Sequence, residues 1–233
     1  MQEFFKDYYW LLTFSVEAIA AVTALLCYKK YKHTVAKYFI YFLVYVFVCE
    51  TIALYTFQVE DGVFNFLKGT VFERNLWWTT LFWCVGSPLF YTFFYLKLIE
   101  SSKVKKFIKL LLFLFLVFSV GTIAFNFDDF FTKYFTSILI FGEFIILFLV
   151  SIYFYEMLQS DKIINFYRSI YFYISATIFI WLLITTPLIF YDIYYTVADW
   201  SFVILKWQIY FFANMFMYLT FTFALLWCKP DKH

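Results

Sequence analysis

The chain has 233 residues, 65% hydrophobic and 15% charged, with a formal net charge of +2. A soluble domain runs nearer half apolar and a quarter charged, so this composition excludes an ordinary soluble enzyme, and nothing in it points to nucleic acid. Only five glycines interrupt it, and its apolar runs are unbroken. A β-barrel, which needs short alternating strands and many turns, is therefore also set aside.

The charged residues sit in clusters, separated by apolar runs of about 20 residues. That is the length a helix needs to cross roughly 30 Å of hydrocarbon. Lipid offers no hydrogen bonds, so each run must satisfy its own backbone as a helix. The fold class is all-α, a seven-transmembrane-helix bundle forming a single domain over residues 1–233. The first span, at about 8–28, follows an acidic start at Glu3 and Asp7. With no basic region or small-residue cleavage site before it, it reads as a span and not as a cleaved leader. The second is expected at about 38–57 and the third at about 76–96. Between them, residues 58–75 carry Val63, Phe64, Phe66, Leu67, Val71 and Phe72, a composition that suits a short interfacial helix. The remaining spans are expected at about 107–125, 135–155, 170–190 and 203–227.

The loops separate by charge. One set holds Lys29, Lys30, Lys32 and Lys37, then Lys97, Lys103, Lys105, Lys106 and Lys109, then Lys162 and Arg168, and finally Lys229 and Lys232. Of the 18 Lys and Arg residues, only Lys6, Lys68, Arg74, Lys133 and Lys206 fall on the other side. The positive-inside rule then places the C-terminus in the cytoplasm and the N-terminus outside, in a bacterial inner membrane. The acids Glu3, Asp7, Glu60, Asp61, Glu73, Asp128, Asp129, Asp192 and Asp199 all fall outside, which agrees. Much of the 28% aromatic content reads as packing, and Tyr8, Tyr9, Trp10, Trp77, Trp78, Trp200, Trp207 and Trp227 as an interfacial belt.

Charged groups inside the hydrocarbon are costly, so each marks a candidate site. Four stand out: Glu17 in span one, Glu50 in span two, Glu143 in span five and Lys206 in span seven. Counted at 1.5 Å per residue from the outer ends, they lie roughly 14, 10, 12 and 5 Å deep, all in the outer half. Lys206, Tyr210 and Asn214 recur every four residues and share a face. Span three offers Trp77, Thr80, Cys84, Ser87 and Tyr91 at steps of three or four. Pro88 should kink that helix and leave a carbonyl free, and Thr185, Thr186 and Pro187 can do the same in span six. Glu17, Glu50, Glu143, Lys206, Tyr210 and Asn214 are the candidate ligand-binding set.

Absences narrow the chemistry. The two histidines, His33 and His233, stand in a basic loop and at the last position. That is no basis for haem, zinc or a histidine dyad within the membrane. Cys27, Cys49, Cys84 and Cys228 show neither a disulfide framework nor a zinc spacing. No cofactor and no metal are expected.

Two resemblances follow. VCETIALY (48–55), the Tyr-rich end of span three, NFYRSIYFYISATIFIW (165–181) and ANMFMYLTFTFALLWCK (213–229) together resemble an uncharacterised group of seven-span proteins of Bacteroidota. Such proteins are often encoded beside sensor histidine kinases, which implies a signalling role by association. The chain is also similar to small integral-membrane terpene cyclases, compact seven-span proteins with an acid in span two and another in span seven. Glu50 matches the first, and Asn214 occupies the region of the second.

The expected function is a non-enzymatic receptor-like or accessory membrane subunit. It would bind a ligand, or a partner's span, in the outer half and act through a separate protein, for which a sensor kinase is one candidate. Its short basic loops carry no output domain and would also attract an anionic bilayer surface. One alternative is a membrane enzyme on an apolar, isoprenoid-like substrate with Glu50 as general acid. Another is a small transporter or proton path.

Overall fold

The computed structural model describes residues 2–191 and 200–230. Asp192, Asp199, Lys232 and His233 lie outside the described residues. Among the described residues there is no strand. Seven helical stretches are long and apolar enough to cross a membrane: Tyr8–Tyr31, Ala36–Gln58, Leu76–Leu98, Ser102–Phe125, Thr136–Leu158, Ile170–Tyr191 and Phe202–Trp227. The chain is thus a multi-pass membrane protein.

The helices, in order, are α1 (Gln2–Tyr31), α2 (Ala36–Ala53), α3 (Leu76–Thr79), α4 (Gly86–Leu98), α5 (Ser102–Phe125), α6 (Thr136–Leu158), α7 (Ile170–Tyr191) and α8 (Trp200–Trp227). A 3-10 turn, Leu54–Gln58, prolongs α2. The third span is composite, because a π-helical stretch, Thr80–Val85, joins α3 to α4. Pro88 lies one turn beyond it and offers no N–H to the carbonyl of Cys84. The expected disturbance of this span is therefore present, and it takes the form of an inserted wider turn.

Two segments differ from the sequence reading. The second basic loop shrinks to residues 99–101, because Ser101 caps α5 by accepting the Val104 N–H at 3.5 Å. Lys103, Lys105, Lys106 and Lys109 therefore ride on α5 itself. Between α2 and α3 there is no interfacial helix, only a 3-10 turn at Asn65–Leu67. That loop is held by polar contacts instead. Gly69, at φ +76°, takes a left-handed conformation that suits glycine, and its N–H donates to Glu73 Oε2 at 2.8 Å. The Tyr55 hydroxyl donates to the carbonyls of Phe72 and Arg74. Val63 and Phe66 nevertheless remain exposed.

The fold divides into two units, residues 1–47 with 150–233 and residues 48–149. In the first unit α1 and α7 both pack against α8. Ala20, Ala21 and Ala24 on α1 and Ala213 and Ala224 on α8 are buried. Small side chains let helix backbones approach closely, the usual solution where lipid supplies no hydrophobic drive between helices. Phe39 on α2 meets Phe221 on α8 edge to face at 4.9 Å.

The C-terminus of α8 is capped from α1. The Lys30 ammonium donates to the carbonyls of Leu225 and Leu226, both at 2.9 Å. The fully buried Tyr31 hydroxyl donates to those of Leu225 and Cys228. Terminal carbonyls without intrahelical partners thus gain donors, and the cation sits at the negative end of the helix dipole.

In the second unit α4 packs against α5. Phe141 on α6 meets Phe115 and Phe118 on α5 at 5.6 and 5.4 Å. Gly142 lies where α6 meets the disturbed third span. A Cβ there would stand 2.6 Å from Pro88 Cγ, 3.2 Å from the Cys84 carbonyl oxygen and 3.6 Å from the Phe115 ring.

Candidate functional site

The six candidate residues divide between the units. Glu17, Lys206, Tyr210 and Asn214 belong to the first, Glu50 and Glu143 to the second.

In the first unit, contacts fix the helix registers. The ring of Tyr9 stacks on Trp207 at 6.1 Å and tilts against Phe211 at 6.3 Å. At the opposite end Lys30 and Tyr31 reach Leu225 to Cys228. Helices α1 and α8 therefore run parallel, and Glu17 comes level with Asn214. Helix α7 runs antiparallel to α8, since Tyr173 meets Phe223 at 5.8 Å and Trp181 bonds Asn214. That bond runs from Trp181 Nε1 to Asn214 Oδ1 at 2.8 Å. It joins two helices by side chains alone, in a setting where an unmet indole N–H or amide is costly. One turn along α7, the Thr185 hydroxyl donates back to the Trp181 carbonyl at 2.9 Å. Pro187 follows inside the helix, so this stretch of α7 combines a back-bonded hydroxyl with a missing N–H.

Glu17 is buried, at 8% exposure, while Tyr210 and Asn214 are half-buried. Lys206 stands one turn nearer the N-terminus of α8, with its ammonium 5.8 Å from the Tyr210 ring centre. The structure therefore brings Glu17 and Asn214 to one level, adds Trp181 and stacks Lys206 over Tyr210. Trp181 was not among the sequence candidates. Its step of four to Thr185, on the helix that carries Pro187, is the signal that could have found it.

In the second unit the face predicted for span three is present, with Thr80, Cys84, Ser87 and Tyr91 all buried. The Cys84 thiol lies 3.5 Å from the Tyr134 hydroxyl and within electrostatic reach of Glu143. Glu143, 6% exposed, follows Gly142 on α6. Tyr134 precedes α6 in a loop, where no periodicity could have marked it. Glu50 behaves differently. It is exposed on α2, and no hydrogen bond or ion pair of its carboxyl occurs among the described residues.

No group of three or more His, Cys, Asp or Glu that could hold a metal occurs among the described residues. No disulfide links any of the four cysteines. No protein-family model, curated protein or solved structure matches the chain.

Proposed function

We propose that the protein is a non-enzymatic, receptor-like or accessory subunit of a bacterial inner membrane. Its N-terminus would lie outside, and its ligand site at the level of Glu17, Trp181 and Asn214. The observation that carries this reading is the Trp181–Asn214 hydrogen bond between α7 and α8. A ligand, or a polar side chain from a partner's span, that takes over the Asn214 amide would release the indole. A bound state with new contacts on one helix and a lost bond on the other differs in energy from the free state, as a switch requires. Helix α7, with its proline and its back-bonded threonine, is the element able to shift. The basic residues at the opposite ends of the helices would face the cytoplasm and a separate output protein, a sensor kinase being the leading candidate.

The test is purification from native membranes in mild detergent, with mass spectrometry of proteins and small molecules, for wild type and Asn214→Leu. The expected result is a stoichiometric protein partner whose output responds to ligand in wild type and not in the variant. Recovery of the protein alone, with no partner and no bound small molecule, would overturn the reading.

One observation favours a second reading. The Glu50 carboxyl, which has no hydrogen bond or ion pair among the described residues, is available as a general acid toward an apolar, isoprenoid-like substrate. A co-purifying lipid-like molecule, turned over by wild type and not by Glu50→Gln, would establish it.

A further inference from the structure

The basic residues at the helix ends are not alike. Lys30 donates to the carbonyls of α8. Lys37 lies 5.1 Å from the ring centre of Tyr38, Lys97 4.8 Å from that of Phe93 and Arg168 5.3 Å from that of Tyr167. Lys103 and Lys106, exposed in the first two turns of α5, have no such partner: no side-chain hydrogen bond, ion pair or ring contact of either occurs among the described residues. No Asp or Glu stands between Glu100 and Asp128. Lys103 with Lys106, Lys106 with Lys109 and Lys105 with Lys109 are like charges three or four residues apart, which destabilises a helix. Cations in a first turn also oppose the helix dipole. This end of α5 therefore carries positive charge that the described residues leave unbalanced.

Packing fixes the direction of that charge. At about 100° per residue, Lys103, Lys106, Leu110, Phe113, Val117 and Val120 fall within a sector of about 100° on α5, and all six are exposed. The buried residues of the helix, Ile108, Phe115 and Ser119, lie on its opposite side. The stripe thus faces the bilayer, and the long lysine side chains can carry their ammonium groups to headgroup level. From Leu110 to Val120 the stripe runs about 15 Å, half of a hydrocarbon core of about 30 Å and so the depth of one leaflet.

The chemistry selects the ligand. Side chains three residues apart on a helix are neighbours, about 5–6 Å between Cβ atoms, so both ammonium groups can reach one phosphate. A soluble anion would leave the apolar part of the stripe unused, and a cytoplasmic protein could not cover it. A partner's span packs best against small residues, whereas Leu110, Phe113, Val117 and Val120 are bulky and suit an acyl chain. We propose that the outward stripe of α5 binds an anionic glycerophospholipid, with its phosphate between Lys103 and Lys106 and its acyl chains along Leu110, Phe113, Val117 and Val120.

The experiment is titration of the purified full-length protein in detergent with phosphatidylglycerol or with phosphatidylcholine of the same acyl chains, bound lipid being counted by native mass spectrometry. Wild type should bind one phosphatidylglycerol about 25-fold more tightly than phosphatidylcholine, since each lysine near an anionic headgroup contributes roughly fivefold. Lys103→Gln/Lys106→Gln should lose that preference. Lys29→Gln/Lys32→Gln, which removes the same charge from exposed positions at the end of α1, should keep it. No preference in wild type would overturn the proposal. Equal losses in the two double variants would show only diffuse attraction of basic residues to anionic lipid and would overturn it too. Competition by glycerol 3-phosphate at the concentrations where phosphatidylglycerol binds would make this a site for a soluble anion, against the proposal. A preference left intact in Lys103→Gln/Lys106→Gln, with a co-purifying protein lost instead, would assign the lysines to that protein and equally overturn it.

Discussion

The two units differ in how they treat the hydroxyls buried within their helices. In the first, Lys30, Tyr31, Trp181, Asn214, Thr185, Thr220 and Thr222 all have hydrogen bonds, and the exceptions are the hydroxyls of Thr13 and Tyr171. In the second, Trp78 donates to the Cys49 carbonyl and Thr79 to that of Asn75, but Thr80, Ser87, Thr92 and Ser119 have no bond, nor does the Trp77 indole. The difference follows local helix geometry. The first unit uses polar groups as fasteners between continuous helices, at a cap and at one mid-helix bond. The second places them around a span whose regular ladder is already interrupted. Satisfied groups lock a helix pair, whereas unsatisfied buried groups carry an uncompensated cost.

The largest effect that would break this comparison is expected at Gly142. Gly142→Ala puts a methyl 2.6 Å from Pro88 Cγ, and overpacking of this kind costs about 1–3 kcal/mol. It should appear as a lower unfolding midpoint in detergent, partly recovered in the Pro88→Ala/Gly142→Ala double variant because the two sites touch. Additive losses would show that the close approach is not what the glycine serves. Next comes Tyr31→Phe. It strips two bonds from buried α8 carbonyls and should cost about 1–3 kcal/mol, with faster amide exchange confined to the last turns of α8. Unchanged exchange there would mean that the ammonium of Lys30 suffices as the cap.

Trp181→Phe removes one interhelical hydrogen bond, and such bonds in membrane proteins average about 0.6 kcal/mol. Its stability loss should be small, and its effect on partner output larger than its effect on melting. The reverse pattern would make the Trp181–Asn214 bond a fastener only. The smallest effect is expected for Thr80→Val, within about 0.5 kcal/mol of wild type, because replacing an unsatisfied hydroxyl by a methyl removes a cost and not a bond. A large loss in melting point would show that Thr80 has a structural partner and would remove the contrast between the units.

Some of this was legible in the residues. The seven spans follow from runs of apolar residues, and the candidate face of span three follows from steps of three and four. Pro88 marked the place where that helix departs from regularity. The acids were legible as costly residues, but not as a single cluster. Glu17 and Glu143 are buried and Glu50 is exposed, because depth along a span says nothing about which way a helix is turned. Likewise Lys30 reads in sequence as one of several loop lysines, and only the meeting of the α1 and α8 ends makes it a cap.

What the sequence by itself determined is the membrane class, the number of helices long enough to span and the level of each polar residue along its helix. Each of these depends on backbone hydrogen bonding in lipid and a fixed rise per residue, which are local. What only the tertiary structure decided is which polar groups meet: Trp181 with Asn214, Tyr31 with the last carbonyls of α8, Gly142 with Pro88. Those pairings depend on helix rotation and register, set by the packing of small and aromatic side chains between helices distant in the chain.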